Sequence, residues 1–389
     1  MKPRAVTGIG IVSALGIGRA AFFEGMRAGA LSAGDKPASP AWRGPARAST
    51  AQAAVPGFDA TKYLGDKGLR SLDRLTKLLI VAARLGLQDA GLKLDGAWTA
   101  GHPDRAGIVT SNAYGSLEVI TELDRVAILE DARYINPSRF PLTVSNSAAG
   151  YASIWEELRA LNVSVSDGNC GGLDAFACAD IFLDQARADV LLVGGAEALS
   201  EALVVAFDRL AAANHREAPV LLGEGAALVA LETPSTARAR CANVICEVTG
   251  YGTAFSPPSR EVSLVYASAH ALERAIAAAL ADAGIAQGVR PEVDIVVSGL
   301  AGLREFDDAE LRAIERSLGE QACVLAPKRV LGETLGAGGA LGVVAAIAYL
   351  REGARSHVVR GTLRAQPRSA LITSMGYYGN ASALVVEAR

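Results

Sequence analysis

No block of lysine and arginine stands out in this 389-residue chain, and its formal net charge is only -3. That balance argues against nucleic acid as a main partner. The five cysteines (Cys170, Cys178, Cys241, Cys246 and Cys323) form no CxxC pair and no zinc-ligand spacing. A scattered, odd-numbered set in a chain this large fits a reducing cytoplasm, and neither a metal nor a cofactor is expected. No segment with the character of a signal peptide precedes the first strand-like run, Ala5–Val12. The longest apolar run, Thr334–Leu350, is rich in glycine and shorter than the ~18–20 residues that would suggest a membrane span. It reads as a buried helix, so no membrane contact is expected. Low-complexity tracts and long linkers are missing as well.

What is present is a chain half of whose residues are hydrophobic, enough for a large core in one α/β unit or two fused halves. Strand-like and helix-like segments alternate throughout, as in α/β folds whose sheets are covered by helices. Two stretches echo each other. AARLGLQDAGL (Ala82–Leu92) and AIAAALADAGI (Ala275–Ile285) both read as amphipathic helices ending in Asp-Ala-Gly, and each is followed by a strand, Ala106–Asn112 and Val293–Gly299. The spacing of about half a chain suggests duplicated halves, 1–235 and 236–389, joined near the polar connection Leu231–Asn243. The bland alternative is chance, because alanine-rich helices capped by glycine are common.

The segment Val163–Ala175, VSVSDGNCGGLDA, passes from a β-branched run through glycines into an apolar helical stretch. That pattern predicts a strand, a tight turn and a helix N-terminus. A thiol at such a turn would have its pKa lowered and could attack an acyl thioester. The residue at the turn is Asn169, and an amide offers only hydrogen bonds.

Five segments, in order, carry a family resemblance. They are Val6–Gly18, Ile135–Gly150, Leu221–Glu232, Lys328–Gly342 and Ser374–Ala383. Together they resemble the β-ketoacyl-ACP synthases from about residue 5 to the C-terminus. The resemblance implies an α/β, duplicated thiolase-like fold with αβαβα layers. An active member would carry a cysteine nucleophile and two histidines that activate the extender carboxylate and stabilise the enolate. Here the cysteine position falls on Asn169. The first histidine, of a His-Gly-Thr motif, falls on Gly299; the second, of a Lys-Ser-x-x-Gly-His motif, falls on Glu333, with its lysine kept as Lys328. The chain's histidines, His102, His215, His270 and His357, lie outside any matching motif.

Loss of all three groups is similar to the chain-length factor, the silent partner of the ketosynthase in type II polyketide systems, which has glutamine at the cysteine position before Gly-Gly-Leu-Asp. Asparagine here, and a polar stretch between Phe207 and Gly223 that is shorter than in most relatives and lacks a Pro-Phe-Asp segment, suggest a branch away from the aromatic polyketide factors; the compact chain is similar to the partner subunits of polyene and aryl-polyene pathways. The resemblance implies a heterodimer with an active ketosynthase, in contact around Asn162–Ser166, and docking of acyl carrier protein. It also implies that Tyr114, in a loop crossing the dimer interface, lines the acyl cavity, and that Tyr377 stands in a gate loop.

Rival readings remain at each of these residues. Asn169 caps the helix as filler or binds a carbonyl. Cys170 is a core residue or an unusual nucleophile. Glu333 pairs with Lys328 or is solvated. Asp307 and Glu310 hold a loop–helix junction rather than act as acids. Tyr114 and Tyr377 line a cavity or pack within their own subunit. For the whole chain, the alternatives to a silent subunit are an atypical β-ketoacyl-ACP synthase or malonyl decarboxylase, and a non-catalytic acyl-binding homodimer.

Overall fold

The computed structural model describes residues 1–29, 51–213, 220–258, 265–285 and 293–389. His215 and part of the Phe207–Gly223 stretch lie outside them. Strand β1 (Arg4–Ser13) runs antiparallel to its counterpart β6 (Cys246–Phe255), with Arg4 opposite Val248 and Val6 opposite Cys246. On one side of that pair the order is β5 (Gly225–Glu232), β4 (Val190–Glu197), β2 (Ala106–Ser111) and β3 (Asn162–Val165). On the other it is β11 (Asn380–Ala388), β10 (Ser369–Met375), β7 (Ile295–Val297) and β8 (Val324–Leu325), with β9 (Val358–Arg360) added at the edge. Outward from the centre, both sides have two antiparallel pairings and then two parallel ones. The halves are copies of one topology.

Alternation along the strands builds the layers. Leu191 and Val193 of β4 enter one core, while Val190 and Leu192 enter another. Ile295 and Val297 of β7 enter the first core, and Val296 enters a third. Strands buried on both faces need helices on both faces. Helix α1 (Arg74–Asp89) covers the outer face of the first half and α3 (Ala269–Asp282) that of the second. Both outer helices are capped alike: Asp73 accepts from Thr76 N–H and Ser268 from Ala271 N–H. Between the half-sheets lie α2 (Gly171–Asp184) and α4 (Gly338–Arg351), giving five layers, αβαβα. The apolar run expected to be one buried helix from Thr334 forms helix only from Gly338; a 3-10 turn, Leu335–Ala337, precedes it.

The central helices are also twins. Each follows a 3-10 turn, Gly168–Cys170 or Leu335–Ala337, and each opens with two glycines. At their crossing a Cβ on Gly172 would lie 2.9 Å from Ala340 N, and one on Gly339 would lie 2.8 Å from Leu173 N. Backbone touches backbone there, with no side chain able to yield. Gly172→Ala or Gly339→Ala should each destabilise the protein by ~1–3 kcal/mol, read as a lowered denaturant midpoint. The double variant should cost less than the sum, because the two share one contact. Unchanged midpoints would show that the helices separate freely.

Candidate functional site

The turn between β3 and α2 places Asn169 at the junction of the two halves, 4 % exposed. Its backbone carbonyl accepts from Ser374 Oγ at 2.7 Å, but its side-chain Oδ1 has no hydrogen-bond partner. Asn169 therefore does not cap α2, contrary to the filler-and-cap expectation; the turn is 3-10, and the helix begins after Cys170 with no side-chain cap. Cys170 is fully buried, its Sγ 3.6 Å from the carbonyl of Ser374. Burial pushes its thiol well above the ordinary value, and Asp174 and Asp167 push the same way. Such a thiol stays protonated and unreactive.

The other two positions that the family resemblance singled out, Gly299 and Glu333, lie nearby. Glu333 is bound by Lys328 Nζ at 2.9 and 3.0 Å and also accepts from Leu335 N–H at 2.8 Å. Both side chains are buried, so the expected pair forms where solvent screens little. Gly299, just beyond β7, donates its N–H to Glu310 Oε1 at 2.7 Å, and Thr373 Oγ1 donates to the same oxygen at 2.6 Å. A Cβ on Gly299 would stand 3.2 Å from Glu310 Oε2. Asp307 accepts from the N–H groups of Ala301 and Gly302. Both acids hold the loop that leads into the helix Arg304–Leu318, as anticipated. Between Gly299, Lys328, Thr334 and Ser374 remains a cavity of about 10 Å³, room for about one water.

Two aromatic residues complete the surroundings. Tyr377 stacks edge-on against Phe306, with 5.1 Å between centroids, and its buried hydroxyl has no hydrogen-bond partner. Burial pushes that hydroxyl well up, with Glu333 adding to the effect and the Asn169 side chain opposing it. Tyr114 instead is 44 % exposed, close to Tyr378. The described histidines serve elsewhere: His102 accepts from Asp104 N–H, His270 sits beside Glu273, and the His357 carbonyl accepts from Ala326 N–H.

Sequence reasoning missed Glu197. It ends β4 buried, accepting from the N–H groups of Ala113 (2.7 Å), Gly336 (3.2 Å) and Tyr114 (3.4 Å). Its signal was available: one acid closing the otherwise apolar strand VLLVGGAE. Asp174, the acid of the Gly-Gly-Leu-Asp motif, accepts from Tyr251 and Ser382 hydroxyls at 2.7 and 2.6 Å.

Burial raises the carboxyls of Glu197 and Glu310 from 4.5 to about 7, and that of Asp174 from 3.8 to about 7. Between the ordinary and raised values the folded chain holds protons that the unfolded chain has released. This contribution is complete below the ordinary values and is lost as pH rises to about 7. The unfolding midpoint should therefore fall across that window, and Glu310→Gln should reduce the slope. A midpoint that rises with pH there, or an unchanged slope, would contradict the assignment.

Comparison with known proteins places this geometry. Residues 1–237 match the family model "Beta-ketoacyl synthase, N-terminal domain", and residues 245–360 match "Beta-ketoacyl synthase, C-terminal domain". A protein of Streptomyces halstedii assigned as polyketide β-ketoacyl synthase 1 is 31% identical over 373 residues, covering 89% of this chain and 85% of its own. Two solved structures share the fold. The ishigamide ketosynthase/chain length factor superposes with a TM-score of 0.82 at 23% identity, covering 100% of this chain and 99% of its own. A type II polyketide acyl carrier protein in complex with its ketosynthase bound to the hexaketide gives 0.80 at 20% identity and 100% coverage of both. The chain belongs to the β-ketoacyl synthase family.

Proposed function

We propose that this chain is the catalytically silent subunit of a β-ketoacyl synthase pair. Its partner is an active ketosynthase, and together they extend a malonyl-derived polyketide or polyene chain delivered on acyl carrier protein. The observation that carries this reading is the nucleophile position itself: a buried asparagine whose amide has no nucleophilic lone pair, with glycine and a lysine-bound glutamate in place of both histidines. The likeness to a ketosynthase/chain length factor structure agrees with it. In this reading Tyr114 contributes to the wall that limits chain length, its half-exposed ring available to the partner's cavity.

A partner is also suggested by the surface. Among the described residues, strand β3 is a sheet edge with one side unpaired. Between β2 and β3 in sequence, Ile128, Leu129, Tyr134, Phe140 and Ile154 are each between 65% and 78% exposed. Apolar side chains in that number on one segment mark an interaction face.

The purified chain should show no condensation with acyl- and malonyl-ACP, and Asn169→Cys should not restore it. The missing groups act as a unit, so one thiol without histidines leaves decarboxylation unassisted. Product formed by the unmodified chain would sink the silent-subunit reading and favour an atypical synthase.

Co-expressed with an active ketosynthase of a type II system, the chain should elute as a 1:1 complex; expressed alone it should aggregate or form a poor homodimer. Light scattering decides between them. A stable, soluble monomer would count against obligate pairing, and a well-behaved homodimer would favour the acyl-binding alternative.

A further inference from the structure

The loop Asn112–Ser116 is fastened at both ends by side chains. Asn112 Nδ2 donates to the carbonyl of Ser145 at 2.8 Å, and Ser116 Oγ donates to Asp73 Oδ2. Its middle, where Tyr114 sits, hangs on Glu197. That carboxylate accepts from Ala113 N–H through Oε2 and faces Tyr114 N–H through Oε1. The same Oε2 also accepts from Gly336 N–H, in the turn that follows Glu333. None of these partners is charged, and the nearby Lys328 is engaged by Glu333. A buried acid with no cation is costly, and its retention calls for something that only an acceptor with several lone pairs can do. Here that task is to gather N–H donors from two separate segments onto one side chain.

We infer that Glu197 positions Tyr114 in the cavity wall and so helps to set product length; this rests on the reading of Tyr114 above. It is a positioning residue, acting through the loop rather than on substrate. Glutamine is the informative replacement: its one oxygen can keep the Ala113 and Gly336 bonds, while its NH₂ meets Tyr114 N–H, so the loop is released at Tyr114 without loss of packing.

The test uses the reconstituted pair with carrier protein, comparing wild type, Tyr114→Ala and Glu197→Gln. Three readouts are needed: product-length distribution, hydrogen exchange of the segments 112–117 and 334–338, and melting temperature. Glu197→Gln should raise the ratio of longer to normal products by about five-fold, equivalent to about 1 kcal/mol, in the same direction as Tyr114→Ala. Exchange should rise in 112–117, where Tyr114 N–H loses its acceptor, and stay unchanged in 334–338. A merely structural role would lower the melting temperature without moving product length. If Tyr114→Ala lengthens products and Glu197→Gln does not, the inference is overturned while the cavity-wall reading stands. If neither variant moves the distribution, the wall reading falls and takes this inference with it. Should Glu197→Gln fail to pair, Glu197→Asp carries the same comparison, keeping the charge but withdrawing it by one methylene; a wild-type distribution from it would also overturn the inference.

Discussion

The contact on which the rest of the molecule depends is the crossing of the two central helices at Gly172 and Gly339. Each helix presents its first turn to the other's backbone, and each would strike it with a single added carbon. This fixes how close the half-sheets approach, because α2 and α4 are the filling between them. It also fixes where the preceding turns end up. The turn holding Asn169 and its twin, Leu335–Ala337, are carried to the same place, so the site is built at the seam of the duplication. Side chains from both halves meet there: Asn169 from the first, Ser374, Tyr377, Lys328 and Glu333 from the second.

Charge at that seam is arranged to be quiet. Three acids, Glu197, Glu310 and Glu333, are buried at the seam, and one ammonium group, that of Lys328, acts on the last two. Lys328 neutralises Glu333 directly, while the other two are matched to N–H groups and a hydroxyl. Burial holds both of those near neutrality rather than fully ionised, which lowers the cost of keeping acids in a dry site. An arrangement of this kind commits its groups to structure: Cys170 is held as a thiol, and Lys328 is bound to Glu333. It does hold loops, and every acid in it ties at least one backbone amide.

Much of the fold was legible in the sequence because it depends on period and length. The echo of Ala82–Leu92 and Ala275–Ile285 falls on α1 and α3, the two outer helices, and their following strands are the topologically equivalent β2 and β7. Strand β7 is shorter than expected at both ends: the amide of Asp294 goes to Ser369 Oγ and that of Gly299 to Glu310, outside the strand ladder. At the site, family motifs located Asn169, Gly299, Glu333 and Lys328, and simple charge reasoning paired the last two. The rest was not legible for a physical reason. Whether Asn169 caps a helix depends on a 3-10 turn that its own neighbours do not encode. Glu197 gains its role from three amides, at Ala113, Tyr114 and Gly336, far away in sequence, and no local pattern reports such a contact.

Restoring the missing groups one at a time would meet resistance from what has replaced them. A histidine at Gly299 must displace the Glu310 carboxylate, which stands 3.2 Å from where its Cβ would be. Its ring would also need more room than the 10 Å³ beside Lys328. A histidine at Glu333 would remove the counter-charge of a buried lysine and the acceptor for Leu335 N–H, and breaking one side of a buried pair costs about 3–5 kcal/mol. A cysteine at Asn169 is sterically the easiest change, yet it would place a thiol opposite Tyr377 in a site where burial already drives thiols and hydroxyls to stay protonated. The three positions are thus locked by different means, by volume, by charge and by desolvation. A reversal at any one of them is opposed before the other two can make it useful.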